Sequence, residues 1–390
     1  MTDIDIQLTQ ATLGMDQLYR AQKGGSGVLD REGLVPVILT DLLPTKFADW
    51  DEADAHLLDL ANQVTRVNDA MRRDYLVEMI ESLHGLVATS RGDAQTYLER
   101  VEQCLRVSAK PVSLEAMDHY RGEIDRLLRK LGYTQGTLDG RVTRWESDNQ
   151  VPRDQVENVL RGLLIEARRR TEEKMFALPD IPFEPVGVSG VPFSAYCDYL
   201  GRQLRVNVDM RYTRSALKHL ACHEGYPGHL VHLAVREERT KSGAMPIDAA
   251  LVVTNSASSA IFEGIGENGI YFLDWIESPE DELAMTLNRL RSSARMNAAL
   301  MIHHESKPLE QVKAYLQETC FATPAWVESR IAFLTHSLRA PFIFAYWCGD
   351  MGVDHVWQRV KPNHRQAFFQ HLYYHMHTTM TLAKYWPVQD

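Results

Sequence analysis

Apolar residues recur three and four positions apart along residues 50 to 177, which is the spacing of amphipathic helices. The spacing is clearest in three segments: Leu57, Leu58, Leu60 and Ala61; Tyr75, Leu76, Met79 and Ile80; and Val159, Leu160, Leu163 and Leu164. Helix starts are predicted at Gly92-Asp93 and at Ser113, where a polar side chain can cap the first turn. We therefore predict a series of packed helices in this part of the chain.

The helical pattern is interrupted at residues 178–192, a segment that holds four prolines. We predict a boundary there, between an amino-terminal helical lobe of residues 1–180 and a second lobe of residues 181–390. A single continuous domain fits the pattern too. Residues 204–208 alternate apolar and polar side chains, as a short edge strand would, and helices resume near Thr213. The fold class is thus predicted to be mainly α, with at most a short β region.

The charge balance argues against nucleic acid as a partner, because 42 lysines and arginines face 52 aspartates and glutamates, a net charge of −10. The amino terminus carries acidic residues where a secretory signal would be positive, and no apolar run reaches the length of a membrane span. A cytoplasmic location without a membrane partner is predicted. The five cysteines are odd in number and include no Cys-x-x-Cys pair, so neither a disulfide framework nor a thiolate zinc site is indicated.

Residues 223–229 read HEGYPGH and carry the most informative chemistry of the chain. Zinc hydrolases of the His-Glu-x-x-His type place two histidines four residues apart on one helix face, with the glutamate beside the metal-activated water. From His223 to His229 the interval is six residues, which leaves the second ring about 120° off that face in a regular helix. Pro227 removes a backbone donor and Gly228 allows unusual dihedral angles, so a bulge or kink could bring both imidazoles to one side. Alternatively, the Pro-Gly pair ends one helix and starts another, and both histidines are ordinary polar residues.

A third ligand is expected farther along the chain, because a catalytic zinc uses three protein ligands and an open fourth position. Glu263 and Glu267 lie four residues apart in an otherwise apolar helical segment and therefore share one face. Burying such carboxylates is costly unless they are paired or bind a metal. One glutamate as ligand and the other as its outer partner is the simplest interpretation, and a solvent-facing acidic stripe is the alternative.

The motif HEGYPGH, followed after Ile261 by Phe-Glu-Gly, resembles the family called domain of unknown function 885. Its members carry His-Glu-Ala-x-Pro-Gly-His-His-x-Gln and then Glu-Gly-Trp-Ala, and the family is similar in fold to the helical zinc carboxypeptidases and to angiotensin-converting enzyme. The resemblance implies a multi-helix zincin-like fold of the gluzincin type with a central cleft. It also implies zinc (Zn²⁺) held by His223, His229 and Glu263, with Glu224 as general base.

Further matches cover residues 200 to 380 better than the rest of the chain. Arg295 and His303 fall where the family has an arginine and a histidine eight residues apart, and Tyr346 falls in its Ser-Tyr-x-x-Gly motif. Tyr346, or else His303, is implied to stabilise the oxyanion, with a core role as the alternative for each. The residues expected to bind substrate or to support the ligands are Tyr226, Glu267, Arg295 and His232.

Several positions depart from the family pattern. Leu230 and His232 stand in place of its second histidine and its glutamine, and Gly266 and Phe342 are further departures. The implied ligand set is intact, but the altered residues would line the cleft, which puts peptide recognition in doubt.

We therefore expect a metal-dependent hydrolase of amide or peptide bonds, in which Glu224 takes a proton from the activated water and passes it to the leaving amine. A metal-dependent enzyme acting on a small amide or a related metabolite is the second interpretation. The third is a non-catalytic helical protein that has no metal, or a structural zinc with His232 as fourth ligand. The expected partner is a small peptide or amide substrate, and a homodimer is compatible with the sequence.

Overall fold

The computed structural model describes residues 3–23 and 32–386. Within them the protein is mainly helical, as predicted. The chain divides into two compact units, each assembled from separate segments: the first from Met1–Ala109, His232–Gly264 and Cys348–Asp390, and the second from Lys110–Val231 and Ile265–Trp347. Residue 180, where the sequence predicts a boundary, lies inside the second unit. Among the described residues, every helix is too short or too polar to span a lipid bilayer.

The described helices are numbered in chain order. They are α1 (Asp3–Lys23), α2 (Trp50–Val64), α3 (Ala70–Arg91), α4 (Tyr97–Leu105), α5 (Leu114–Lys130), α6 (Leu138–Asp148), α7 (Val156–Lys174), α8 (Arg214–Leu220), α9 (His229–Lys241), α10 (Ser259–Phe272), α11 (Pro279–His303), α12 (Leu309–Cys320), α13 (Pro324–Leu334), α14 (Ile343–Trp357), α15 (Arg365–Tyr374) and α16 (Thr379–Tyr385). The strands are β1 (Val37–Ile38), β2 (Glu184–Val188), β3 (Ala195–Asp198), β4 (Gln203–Asn207) and β5 (Leu251–Val252).

Local sequence signals account for most helix ends. Ser113 caps α5 through a hydrogen bond from the Ala116 backbone N–H, as predicted. The helix start predicted at Gly92-Asp93 is wrong, because Gly92 instead ends α3 in a left-handed conformation with φ 87°. The next helix, α4, begins after Thr96, whose side chain forms a capping box with Glu99.

The segment predicted as a strand after the proline-rich stretch is β4, but the prediction of an edge position is wrong. β4 is the central strand of the sheet β2-β4-β3, parallel to β2 and antiparallel to β3. The proline-rich stretch therefore contributes an edge strand, with Pro185 as its second residue.

In the second unit, the long helix α11 packs along α5. The side chain of Asn297 on α11 makes two hydrogen bonds with the backbone of Val112. It accepts from the Val112 N–H at 2.8 Å and donates to the Val112 carbonyl at 3.0 Å. This contact fixes the entry of the chain into α5 against the helix that supports the site described below.

In the first unit, α10 and α14 approach closely at two glycines. A Cβ atom on Gly264 would lie 2.6 Å from a Val353 methyl group and overlap the Gly349 backbone, and one on Gly349 would lie 2.9 Å from the Gly264 nitrogen. Only glycine permits this distance at either position. The contact holds the turn of α10 that carries Glu263.

Candidate metal centre

The HEGYPGH motif does not form a regular helix. α8 runs into a π turn, Ala221–Gly225, and α9 begins only at His229. The Tyr226 backbone N–H donates to the carbonyl five residues back at 3.0 Å, and the Gly228 N–H donates to the carbonyl six residues back at 2.9 Å. In a regular α-helix each N–H binds the carbonyl four residues back. The longer intervals here change the winding of the backbone between the two histidines.

Gly228 is required by the close fold of this segment on itself. A Cβ atom at this position would overlap the carbonyl oxygens of Cys222 and His223. The helix thus ends and restarts at the Pro-Gly pair, as the alternative interpretation of the motif held. The imidazoles nevertheless converge, since the ring centroids of His223 and His229 are 4.7 Å apart and the rings are nearly perpendicular at 81°.

Glu263 joins the two histidines. His223, His229 and Glu263 each offer one ligand atom, and these atoms all lie within 4.8 Å of one another. His223 and Glu263 are buried, whereas His229 is half-buried. The three residues that the sequence and the resemblance single out as ligands therefore stand together.

The donor set fits a zinc ion. Two imidazoles and one carboxylate are the ligands of one common type of catalytic zinc site, and three protein ligands leave a coordination position for water or substrate. Ligand atoms about 2.0 to 2.1 Å from a tetrahedral zinc lie about 3.4 Å apart. The candidate ligand atoms, all within 4.8 Å of one another, are close enough to reach that separation through side-chain rotation.

Glu267 lies behind His223, one helical turn after Glu263. Its carboxylate is 3.8 Å from His223 Nδ1 and 3.2 Å from His219 Nε2, and it accepts a hydrogen bond from Asn288 at 2.6 Å. His219, His223 and Glu267 form a second group with ligand-like spacing, which shares His223 with the first. This arrangement places an anionic carboxylate near His223 Nδ1, at a distance longer than a hydrogen bond, and carboxylates in this position commonly orient histidine ligands.

The electrostatics favour the protonation states that a metal site needs. Burial lowers the pKa of His223, against the opposing charges of Glu267 and Glu224, so the ring is held neutral and able to bind a cation. Burial would raise the pKa of Glu267, but His219, His223 and Arg295 outweigh it and lower that pKa, so the carboxylate stays ionised.

The backbone of Gly266 packs directly against the His223 ring. A Cβ atom there would lie 2.8 Å from both Cε1 and Nδ1 of His223. The imidazole therefore rests on the backbone of α10 at the position where the sequence departs from the family's alanine. The departure is compatible with the ligand geometry, because the smaller residue makes room for the ring.

His232 is turned toward other partners than the ligand group. Its ring packs on Phe262, with centroids 4.5 Å apart, and on Tyr373, and its Nε2 accepts a hydrogen bond from Arg236 at 3.2 Å. Among the described residues it belongs to neither group of ligand-like spacing. The structure thus does not bring His232 together with the three candidate ligands.

Two further predicted residues are engaged elsewhere. The Tyr226 hydroxyl donates to the Ile181 carbonyl at 3.3 Å, and burial raises the pKa of this phenol. His303, the last residue of α11, has its Nε2 2.7 Å from the Leu334 carbonyl. Neither residue is in a ligand-like group of the described part of the chain.

Arg295 and Tyr346 lie against each other, with the guanidinium carbon 5.1 Å from the centroid of the phenol ring. Both side chains are half-buried. The positive charge of Arg295 acts on His223 and Glu267, which places it in electrostatic range of the metal centre.

Two residues at the site, His219 and Asn288, were not predicted from the sequence. A signal existed for His219, which precedes His223 by four residues and so shares its helix face. Asn288 lies on another helix, α11, and periodicity does not reveal which distant helix approaches the site.

Comparisons with known proteins find structures with a similar fold but identify no family. No family model matches the chain, and no curated protein matches it. Among solved structures, a "putative lipoprotein" from Colwellia psychrerythraea is similar with a TM-score of 0.57 and 14% identity, over 88% of this chain and 70% of that one. A "putative lipoprotein of unknown function" from Shewanella oneidensis is similar with a TM-score of 0.55 and 16% identity, over 97% of this chain and 82% of that one. At these identities the likeness concerns the fold alone.

Proposed function

We propose that this protein is a zinc-dependent hydrolase of amide or peptide bonds, with a gluzincin-type fold and the ligand group in a central cleft. The observation that carries the proposal is the convergence of His223, His229 and Glu263 within 4.8 Å across an interrupted helix. A regular helix would turn His229 about 120° away from the face of His223. The interruption at residues 226–228 is therefore the feature that lets both rings reach one side.

A bound zinc ion would supply a Lewis acid that activates water and polarises the scissile carbonyl. Glu224 follows His223 directly, is buried, and its negative charge acts on the His223 ring, which supports a role for it as the base. We assign it the transfer of a proton from the attacking water to the leaving amine. Tyr346 is assigned to the oxyanion, because the neighbouring Arg295 guanidinium favours negative charge at its hydroxyl and on groups bound to it.

A non-catalytic structural zinc is less well supported. Structural zinc sites use four protein ligands. His232, the fourth ligand that such a site would need, instead accepts a hydrogen bond from Arg236 and packs between aromatic rings. Three ligands and a half-buried His229 favour a position that water or substrate can reach.

Metal analysis of the purified protein, together with a hydrolysis screen over dipeptides and N-acyl amino acids, tests the proposal. We expect one zinc per chain, and loss of that zinc in Glu263→Ala. Glu224→Gln should retain the zinc and lower turnover by about 10²- to 10⁴-fold, as expected for the loss of a general base. Glu238→Gln, an exposed position on α9, is the matched control and should behave as wild type. Zinc-free protein, or full turnover by Glu224→Gln, would contradict the assignment.

A further inference from the structure

A cavity of the second unit lies beside the first turn of α8. Its volume is about 360 Å³, at the lower end of the range of about 300 to 1,000 Å³ that is usual for small-molecule sites. Its walls come from the helices α6, α7, α8 and α11 and from the loop between α10 and α11. The volume therefore suits one small metabolite.

The cavity and the candidate metal centre lie on different sides of α8. Lys218 lines the cavity, and its ammonium group binds Asp281 at 2.7 Å. The next residue, His219, instead turns to Glu267 at 3.2 Å. Successive side chains of an α-helix point about 100° apart, which explains the two directions. None of the three candidate zinc ligands lines the cavity, so a molecule bound in it would contact α8 without contacting them.

Part of the cavity wall is apolar. Trp145 on α6, Leu163 on α7 and Trp275 in the loop before α11 supply it. Apolar and aromatic side chains of this kind bind the hydrocarbon part of a small ligand, while a few polar groups orient it. We therefore expect an occupant that has an apolar portion.

A buried ion pair forms another part of the wall, and its charges are already compensated. The Lys218 ammonium lies 2.7 Å from Asp281 and 3.4 Å from Glu277. Asp281 also accepts a hydrogen bond from the Ser215 hydroxyl at 2.8 Å, and Glu277 also pairs with Arg170. These contacts join α8 to the start of α11. The groups in them offer no unpaired charge to a ligand.

Two other charged side chains of the cavity, one of each sign, are not paired. Arg214 is exposed in the first turn of α8, and Glu280 is half-buried in the first turn of α11. Neither side chain forms an ion pair or a hydrogen bond with any described residue, and they do not pair with each other. Opposite charges that line one cavity without meeting match a ligand that carries both charges.

We propose that this cavity binds a small zwitterion, with the ligand's carboxylate on Arg214, its ammonium group on Glu280 and its apolar portion against the tryptophans. The planar donor fork of arginine suits a carboxylate, and a carboxylate accepts from an ammonium group. A free amino acid with a large apolar side chain and a short apolar peptide share this chemistry. The inference goes beyond the proposed hydrolase, because it adds a second site whose occupancy does not need zinc.

Calorimetric titration of the full chain, as isolated and again after removal of metal by a chelator, tests the site. L-phenylalanine is compared with L-phenylalaninamide, which lacks the carboxylate, and with N-acetyl-L-phenylalanine, which lacks the ammonium group. We expect phenylalanine to bind at least about 10-fold more tightly than either derivative in both states, the effect of one charge-assisted hydrogen bond. Zwitterionic probes that bind the chelated protein no more tightly than the capped derivatives, or not at all, would overturn the inference.

Variants assign the two ends of the ligand. Arg214→Gln should weaken binding of phenylalanine by about 10-fold or more and leave phenylalaninamide unchanged, because the amide has no carboxylate to lose. Glu280→Gln should weaken phenylalanine in the same way and leave N-acetylphenylalanine unchanged. Arg211→Gln and Glu282→Gln change the net charge equally at exposed positions outside the cavity wall and are the matched controls. Thermal unfolding checks that each variant is folded. If folded Arg214→Gln and Glu280→Gln bind phenylalanine as tightly as these controls, the site is refuted.

The dipeptide L-alanyl-L-phenylalanine distinguishes the two sources of the zwitterion. It is titrated into the chelated protein, and the tighter binder of dipeptide and amino acid identifies the natural ligand as a peptide or a free amino acid. The results for this site and for the proposed hydrolase are independent. Zwitterion-selective binding by a protein that holds no zinc would refute the hydrolase and leave the cavity site standing. Zinc-dependent hydrolysis without zwitterion-selective binding to the chelated protein would do the reverse.

Discussion

Replacing Glu267 by glutamine tests how the protein holds the His223 ring in position. The carboxylate lies 3.8 Å from His223 Nδ1 and 3.2 Å from His219 Nε2, and it accepts from Asn288 at 2.6 Å. Glutamine keeps the size of the side chain but loses the charge and offers only one acceptor oxygen. The His223 ring would then lose its anionic neighbour and become a weaker and less firmly oriented ligand.

The expected loss follows from the geometry of this contact. Outer partners of metal-binding histidines contribute about 10- to 100-fold to metal affinity, or about 1.4 to 2.7 kcal/mol. The separation of 3.8 Å between Glu267 and His223 is longer than a hydrogen bond. We therefore expect the lower part of the range for Glu267→Gln, a weakening of zinc binding by about 10- to 30-fold.

The zinc affinity is measured at neutral pH by adding zinc to the metal-free protein in competition with a chromophoric chelator. Glu238→Gln, which removes an exposed carboxylate on α9, is the control for the change in net charge. Thermal unfolding of the metal-free variants separates a local effect from general destabilisation. If Glu267→Gln binds zinc as tightly as Glu238→Gln and wild type, the orienting role of the carboxylate is refuted.

Three further predictions concern stability and the motif. Gly228→Ala should destabilise the metal-free fold by about 2 kcal/mol or more and weaken zinc binding, because a Cβ atom overlaps the His223 carbonyl; denaturant titration and metal analysis measure both. Asp281→Ala leaves the buried Lys218 ammonium with only the more exposed Glu277 carboxylate at 3.4 Å and should cost about 2 kcal/mol in the free energy of unfolding. Burial lowers the pKa of His377 to about 3, so the unfolded chain, with a pKa near 6.5, binds the proton more readily. Stability should fall as pH drops from about 6.5 toward 3, by up to about 1.4 kcal/mol per pH unit, and denaturant titrations of metal-free protein against pH, compared with His377→Asn, measure this.

Matched controls accompany these variants. Gly162 lies in the middle of α7 with open space at its Cβ position, so Gly162→Ala should be neutral or slightly stabilising. Lys241→Met breaks an exposed ion pair with Glu237 and should change stability by less than about 1 kcal/mol. A loss in Gly162→Ala equal to that in Gly228→Ala would contradict the steric argument. Equal losses of stability in Lys241→Met and Asp281→Ala would contradict the claim that burial makes the Asp281 ion pair important. If stability falls with decreasing pH as steeply in His377→Asn as in wild type, His377 is not the source of that pH dependence.

The amino-acid sequence by itself determines the features that depend on neighbours within one or two turns. Pro227 and Gly228 act on the backbone next to them, which is why an interruption between His223 and His229 is predictable from seven residues. The capping of α5 by Ser113 is local in the same sense. The shared face of Glu263 and Glu267 follows from helical geometry alone.

Only the tertiary structure decides which of these local features meet. β4 is a central rather than an edge strand because β2 pairs on its other side, and alternation of side chains along a strand does not record its neighbours. Asn288 reaches Glu267 through the packing of separate helices. Periodicity defines the face that a helix buries but not the partner it buries against, so the residues that support the ligands are a property of the folded chain.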